Sequence, residues 1–340
     1  MKKILISGYY GFDNFGDEAI LGVLINHLRG NDITVLSSNP EKTGRTHNVN
    51  SLNSFNTKLI AERLPNFDIL ISGGGSLLQN VTSNRSLLYY CGLIMMMSIF
   101  PKKDIVIFAQ GIGPVKGFWG KLIVKSALKK CKYISVRDKK SQDLLKSWGI
   151  ESNLVCDPIF DLQLPAPNRT RKVGIQLRKF ASLTDELFDE IVKQVALKFS
   201  DREIELICFQ DSEDEGISKV FLNKLKKKNP TINANIIKNL TNKEVIERVS
   251  EYDYLIAMRF HACLLGLKYG IKTLAISYDP KVETLAQNAK IPYLVMDSKK
   301  NDYKQAFENL EKLSSFNLLN YANSQEFEWY KTGIDELVKS

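Results

Sequence analysis

The run Ala257-Met258-Arg259-Phe260-His261-Ala262-Cys263-Leu264-Leu265-Gly266 stands between a strand and a helix, and its reading decides the fold. Before it, Tyr254-Leu255-Ile256-Ala257 has the length and composition of a short buried strand. After it, residues 262 to 269 are apolar and helix-compatible, with Gly270 placed as a C-cap. Arg259 and His261 therefore fall where a strand hands over to a helix. In an open parallel sheet, that carboxyl-end crevice receives ligands. The next strand, Thr273-Leu274-Ala275-Ile276, runs into Ser277-Tyr278-Asp279-Pro280-Lys281-Val282, so Lys281 reaches the same edge. An Arg, a His and a Lys beside a helix N-terminus suit a small, highly charged anion. An Arg-x-His pair alone is a common accident. It gains weight because the chain has 3 His in 340 residues and because Asp-Pro-Lys follows the neighbouring strand.

Upstream, the same strand-to-helix alternation recurs. Residues 172 to 177 form a strand ending at Arg178. Residues 203 to 209 form another, ending in the acidic cluster Asp211 to Glu215, which reads either as a cleft element or as a solvated loop. Residues 233 to 237 suggest a third strand, and Lys224 to Lys228 a solvated basic helix face. Around Leu164-Pro165-Ala166-Pro167-Asn168 the composition turns to Pro and polar residues, which marks a linker. Before the linker, strands at 3–7, 68–72, 104–109 and 133–136 each end in glycines or charge, and a further strand lies at 33–36. The first leads into Gly8-Tyr9-Tyr10-Gly11-Phe12-Asp13-Asn14-Phe15-Gly16-Asp17-Glu18 and a helix from about Asp17 to Leu28. That loop is neither a Gly-x-Gly-x-x-Gly fingerprint nor a Walker motif. Each glycine cluster alone reads as a tight turn, but their recurrence at the same end of successive strands points to a ligand edge. Residues 324 to 338 read as a final helix that packs back on the first domain.

Hydrophobic residues make up 44% and charged residues 25%, as in ordinary globular proteins, and the length suits two domains. The net charge of +9 favours acidic partners. Nucleic acid is excluded, because aromatic and basic residues are not interleaved in any recognisable binding motif. The 5 Cys are widely spaced without a Cys-x-x-Cys pair, as expected for buried free thiols in a reducing compartment. No His/Cys/Asp cluster has ligand spacing, so no metal is expected. The apolar run at residues 4 to 6 is too short for a signal peptide, and Leu87 to Phe100 is too short for a membrane span. The expected location is the cytoplasm, at the inner face of a membrane.

The ordered set Gly11-Phe12-Asp13-Asn14-Phe15-Gly16-Asp17-Glu18, Gly73-Gly74-Gly75, Gln110-Gly111-Ile112-Gly113-Pro114, Val136-Arg137-Asp138 with Ser141, Asp157-Pro158, Arg259-Phe260-His261 and Tyr278-Asp279-Pro280-Lys281 resembles the polysaccharide pyruvyl transferase family, particularly its bacterial cell-wall branch. The resemblance spans residues 1 to about 300. It implies an α/β fold of two Rossmann-like domains facing a cleft, GT-B-like: an acceptor-side domain over 1–165, a donor-side domain over 166–322, and a C-terminal helix over 323–340. It also implies transfer of pyruvate from phosphoenolpyruvate to a sugar or lipid-linked saccharide acceptor. The product would be a cyclic, 4,6-linked ketal, with phosphate released and no cofactor needed.

Carried onto this chain, Arg137, Arg259, Lys281 and Arg178 would bind the donor's carboxylate and phosphate, which suit Arg forks and a Lys point charge. His261 would be the general acid or a phosphate contact. Asn14, Gly74, Gln110 and Asp214 would bind the acceptor. Asp17 reads either as the catalytic base or as a helix-start carboxylate. Peripheral contact with an anionic membrane would fit the charge and the lipid-linked acceptor. Two competing readings are a GT-B glycosyltransferase using a nucleotide sugar, with Glu283 on a ribose, and a non-catalytic anion-binding module.

Overall fold

The computed structural model of the chain describes residues 1–81, 83–180 and 184–339. The chain divides into two units: Met1–Leu162 together with the segment from Glu326 onward, and Gln163–Gln325.

In the first unit, strands and helices alternate as β1 (Lys3–Ser7), α1 (Phe15–His27), β2 (Asp32–Ser37), α2 (Pro40–His47), β3 (Asn50–Asn53), α3 (Thr57–Arg63), β4 (Ile69–Ser72), α4 (Asn84–Met97), β5 (Asp104–Gln110), α5 (Phe118–Leu128), β6 (Tyr133–Val136), α6 (Lys139–Ser147) and β7 (Asn153–Leu154). The strands form one parallel sheet in the order β3-β2-β1-β4-β5-β6-β7. Its central strands are buried without alternation, through Ile4-Leu5-Ile6, Ile69-Leu70-Ile71 and Ile105-Val106-Ile107-Phe108. Continuous burial is what helices on both faces of a parallel sheet require. The winding reverses between β1 and β4, which opens a crevice at the carboxyl ends of those two strands. The polar Asn50-Ser51-Leu52-Asn53 strand escapes a reading by periodicity, because an edge strand is held mainly by backbone pairing with β2.

The second unit runs β8 (Lys172–Gln176), α7 (Asp185–Lys198), β9 (Glu203–Ile207), α8 (Asp211–Lys228), β10 (Ala234–Ile237), α9 (Asn242–Ser250), β11 (Tyr252–Ala257), α10 (Phe260–Lys268), β12 (Lys272–Ser277), α11 (Pro280–Ala289), β13 (Tyr293–Val295), α12 (Tyr303–Lys312) and α13 (Ser315–Asn323). Its parallel sheet has the order β10-β9-β8-β11-β12-β13, so the same reversal falls between β8 and β11. The acidic cluster after β9 is a helix start, not a solvated loop. Asp211, Glu213 and Asp214 occupy the first turn of α8, and Asp214 is wholly buried.

The tail does return to the first unit, but not as one helix over residues 324 to 338. A 3-10 turn at Trp329–Thr332 ends at Gly333, and only α14 (Ile334–Lys339) follows. Gly333 takes φ 72°, and a side chain there would run into the Tyr133 ring. The Trp329 indole stacks on His27 at 4.0 Å, and Phe327 and Trp329 pack against Phe108.

Candidate active site

Each unit carries a cluster of candidate residues at the carboxyl edge of its own sheet. In the second unit, Gln176, Ala257 and Ala275 lie in register across β8, β11 and β12. Arg178, Arg259 and Ser277 each come two residues later, so the three strands release their loops at one level beside the winding reversal. Arg259 is the N-cap residue of α10, and no side chain caps that helix. Its guanidinium is nearly buried and grips Asp214: Nε donates to the two carboxylate oxygens at 3.1 and 3.0 Å, and Nη2 to Oδ1 at 2.6 Å. Nη2 also donates to Gln210 Oε1 at 3.2 Å.

Asp214 accepts further bonds from Gln176 Nε2 and from the backbone N–H groups of Phe209 and Gln210. Both of its oxygens accept bonds inside the second unit, where contact with an acceptor hydroxyl was expected. It orients Arg259 instead, in the bidentate geometry that holds a guanidinium most firmly. Gln176 completes the clamp by accepting from the Arg259 N–H at 2.7 Å. Sequence reasoning passed over Gln176 and Gln210. The signal available was a Gln closing the β8 run and a second Gln just before the acidic cluster that starts α8.

His261 is the second residue of α10, partly exposed, with its ring 5.4 Å from that of Phe260. Lys281 is the second residue of α11, whose N-cap Asp279 accepts from the Lys281 N–H. The Lys281 ammonium lies 5.9 Å from the centre of the Phe260 ring and 3.8 Å from Asp279 Oδ2. The Arg178 guanidinium sits 5.8 Å from the centre of the Tyr278 ring, which also meets Phe180. Arg178 Nε is buried without a hydrogen-bond partner among the described residues. Arg178, Arg259, His261 and Lys281 thus share one edge, floored by Phe260 and Tyr278. Aromatic faces steady the two outer cations without neutralising them. Glu283, the residue named for a ribose, lies in the first turn of α11 and accepts from Gln287.

In the first unit, the loops after β1 and β4 meet at the reversal. The Asn14 side chain accepts from the Gly16 N–H and caps α1, so it is tied to the helix it starts. Asp17 follows in the first turn and is partly exposed. A Cβ on Gly75 would lie 2.7 Å from Asp17 Oδ1, so the carboxylate rests directly on the glycine loop. Gly74 is buried against α1, and a Cβ there would lie 2.6 Å from Ile20 Cγ2. Gly74, expected to meet the acceptor, lets the loop pack closely on the helix.

Gln110 is fully buried, and its Nε2 braces the loop through Ser72 O, Ser72 Oγ and Gly73 O at 2.8 to 3.0 Å. It reaches that position because β5 kinks at Ala109, which takes φ 45°. A left-handed non-glycine residue is costly, and such strain collects at functional edges. Gln110, expected to contact the acceptor, thus braces the loop through its NH2 group, while its Oε1 is buried without a hydrogen-bond partner among the described residues. Tyr10, which the sequence reading missed, is buried beneath Gly8 and Gly73. Burial, then the nearby charge of Asp17, pushes its phenol well above the usual tyrosine range.

Arg137, expected to bind the donor, is held by partners within the first unit. Its side chain is nearly buried, with Nη1 donating to Asp157 Oδ2 at 2.6 Å and Nη2 to Ser76 Oγ at 3.1 Å. It ties the β4 and β6 loops to the Asp157-Pro158 turn. Among the described residues, no group of three or more His, Cys, Asp or Glu is placed to hold a metal ion.

Similar folds are found among nucleotide-sugar enzymes. S. aureus MnaA, solved with UDP, is 11% identical with a TM-score of 0.67, over 100% of this chain and 96% of that one. A putative UDP-N-acetylglucosamine 2-epimerase from Listeria monocytogenes is 9% identical with a TM-score of 0.66, over 100% and 96%. Anabaena HepE, solved with UDP and glucose, is 9% identical with a TM-score of 0.64, over 100% of both chains. At such identity the likeness is one of fold, the two Rossmann-like domains of the GT-B class. No curated protein matches the sequence. The model of the family described as "Polysaccharide pyruvyl transferase" matches residues 14–280, from the cap of α1 to the start of α11. With most of its length matched and both edge clusters inside or adjoining that span, the chain belongs to the polysaccharide pyruvyl transferase family and is a transferase.

Proposed function

We propose that the chain transfers pyruvate from phosphoenolpyruvate to two hydroxyls of one sugar in a cell-wall or exopolysaccharide precursor, forming a cyclic 4,6-linked ketal and releasing phosphate. The observation that carries this reading is the cation cluster of Arg178, Arg259, His261 and Lys281 at the uncapped start of α10. Phosphoenolpyruvate places a carboxylate and a phosphate on one small carbon frame, and such a cluster answers both.

In the first step one sugar hydroxyl adds to C2 of the enol phosphate while C3 gains a proton and becomes a methyl group. In the second, the other hydroxyl displaces phosphate from C2, and its proton leaves with the phosphate. His261 serves as the acid for C3 or holds the departing phosphate. Arg259, fixed by Asp214, and Lys281 stabilise the charge that develops on the leaving oxygens. Asp17 takes a proton from an acceptor hydroxyl, with Asn14, Gly74 and Gln110 shaping the loops around it. No electrons change hands, and the proposal adds no cofactor. The acceptor is lipid-linked and is met at the inner face of the membrane.

The test is phosphate release from phosphoenolpyruvate with a lipid-linked N-acetylmannosamine acceptor, with the product checked by mass. Ketal formation adds the pyruvyl group to the acceptor and consumes the two hydroxyls that it bridges. Stabilisation by UDP-sugars but not by phosphoenolpyruvate in a thermal melt, with no phosphate released, would favour the glycosyltransferase reading instead.

A further inference from the structure

Between Asp68 and Asp138 the sequence has one carboxylate, Asp104. This stretch builds α4 and α5, which lie side by side in the first unit and run back from the sheet edge that carries the glycine loops. Their outer faces are not polar. Leu88, Met95 and, just past the helix end, Ile99 are exposed at a spacing of seven and eleven residues, which is a single stripe along α4. On α5, Phe118 and Leu122 begin a stripe that Lys125 and Lys129 continue, with Trp119 beside it. Ile99, Phe118 and Trp119 are 77%, 73% and 71% exposed, so three large apolar side chains stand in solvent. Arg85, Lys116, Lys121, Lys125 and Lys129 flank them, and none has a carboxylate partner among the described residues.

A helix pair with an apolar face, aromatic tips and an unneutralised cationic rim has the chemistry of an interfacial membrane element. A protein-binding patch of the same size would be depleted in lysine. No helix among the described residues is long and apolar enough to cross a membrane, so the contact is peripheral.

We propose that the α4–α5 face docks on an anionic lipid bilayer, with Phe118 and Trp119 entering the headgroup boundary and the lysines meeting lipid phosphates. The proposal deepens the functional reading above, on which it rests for its purpose: a lipid-linked acceptor reaches the first unit's edge from a bilayer.

The experiment is sedimentation of the full chain with vesicles of phosphatidylglycerol and phosphatidylcholine, against vesicles of phosphatidylcholine alone, at low and high salt. Binding should require the anionic lipid, weaken with salt, and shift the Trp119 emission to the blue. Lys121→Glu with Lys125→Glu should lower vesicle affinity by roughly tenfold or more, and Phe118→Ser with Trp119→Ser by a similar factor. All four positions are on the outer face, so melting temperatures should hold. Equal binding to neutral vesicles, no binding at low salt, or full binding by both double variants would overturn the proposal. So would a wild-type dimer that the Phe118→Ser, Trp119→Ser variant dissolves, because the face would then serve a second copy. Phosphate release with a lipid-free acceptor fragment separates the two readings. Variants that bind vesicles poorly should turn over that fragment like wild type, whereas silence in the wild type would sink the reaction and leave the vesicle result standing.

Discussion

At the residue scale, Asp214 and Arg259 show how a buried charge pair prepares a site. Asp214 collects donors from Arg259, Gln176 and two backbone N–H groups, and is itself wholly enclosed. Asp214→Asn would turn an NH2 toward those donors and leave the guanidinium unpaired. The expected cost is about 3 kcal/mol in a urea titration, together with a weaker hold on phosphoenolpyruvate by calorimetry. His261 is partly exposed and lies at the start of a helix, so replacing it should spare the fold. His261→Gln should keep most donor affinity and lose turnover by roughly two to four orders of magnitude. A variant that melts early but turns over normally when folded would remove His261 from catalysis. The thiols behave oppositely. Burial pushes Cys91, Cys131, Cys156, Cys208 and Cys263 up to about 12 from the ordinary 9.0. Thiol reagents at neutral pH should therefore label the native chain slowly and the unfolded chain fast. The sign for stability follows from the raised values. The protonated folded form is favoured below pH 9.0, and the advantage is lost as pH climbs toward about 12, so the melting temperature should fall across that window.

At the scale of elements, the glycine loop after β4 is defined by what α1 leaves no room for. A Cβ on Gly74 meets Ile20, and one on Gly73 meets the Tyr10 ring and hydroxyl. Gly74→Ala should destabilise the first unit by about 2 kcal/mol through overpacking. If the clash with Ile20 is the cause, adding Ile20→Ala should cost less than the sum of the two single changes, measured by denaturant midpoints. An additive pair would show that the loop yields elsewhere. The regular elements were legible because their physics is local. The unbroken apolar runs of β1, β4 and β5, and the acidic first turn of α1, are written in adjacent residues. Edge strand β3 and the two-residue β7 were not, since their partners rather than their own side chains make them strands.

At the scale of the molecule, the chain's last segment belongs to the unit its first residues build. Phe327, Ile334 and Leu337 are buried there, and each contributes about 1.5 kcal/mol or more by area removed from water. Deleting residues 326–340 should lower the melting of the first unit's transition and leave the second unit's unchanged in a calorimetric scan. A uniform shift of both transitions would speak against that division.

What the sequence determined by itself was the class of fold, the order of its motifs and the edge of each sheet on which they fall. Periodicity, glycine and charge act within a few residues of one another, so a linear reading captures them. What only the tertiary structure decided was which polar groups are already spent. Asp214, Arg137, Asn14 and Gln110 look like ligand-binding residues in a string. Asp214 and Arg137 find partners on other loops, and the Gln110 NH2 group on the β4 loop, where burial makes an internal bond obligatory, while Asn14 caps the helix it starts. Arg178, His261 and Lys281 lie at the carboxyl ends of their strands, where the chain turns outward from the sheet.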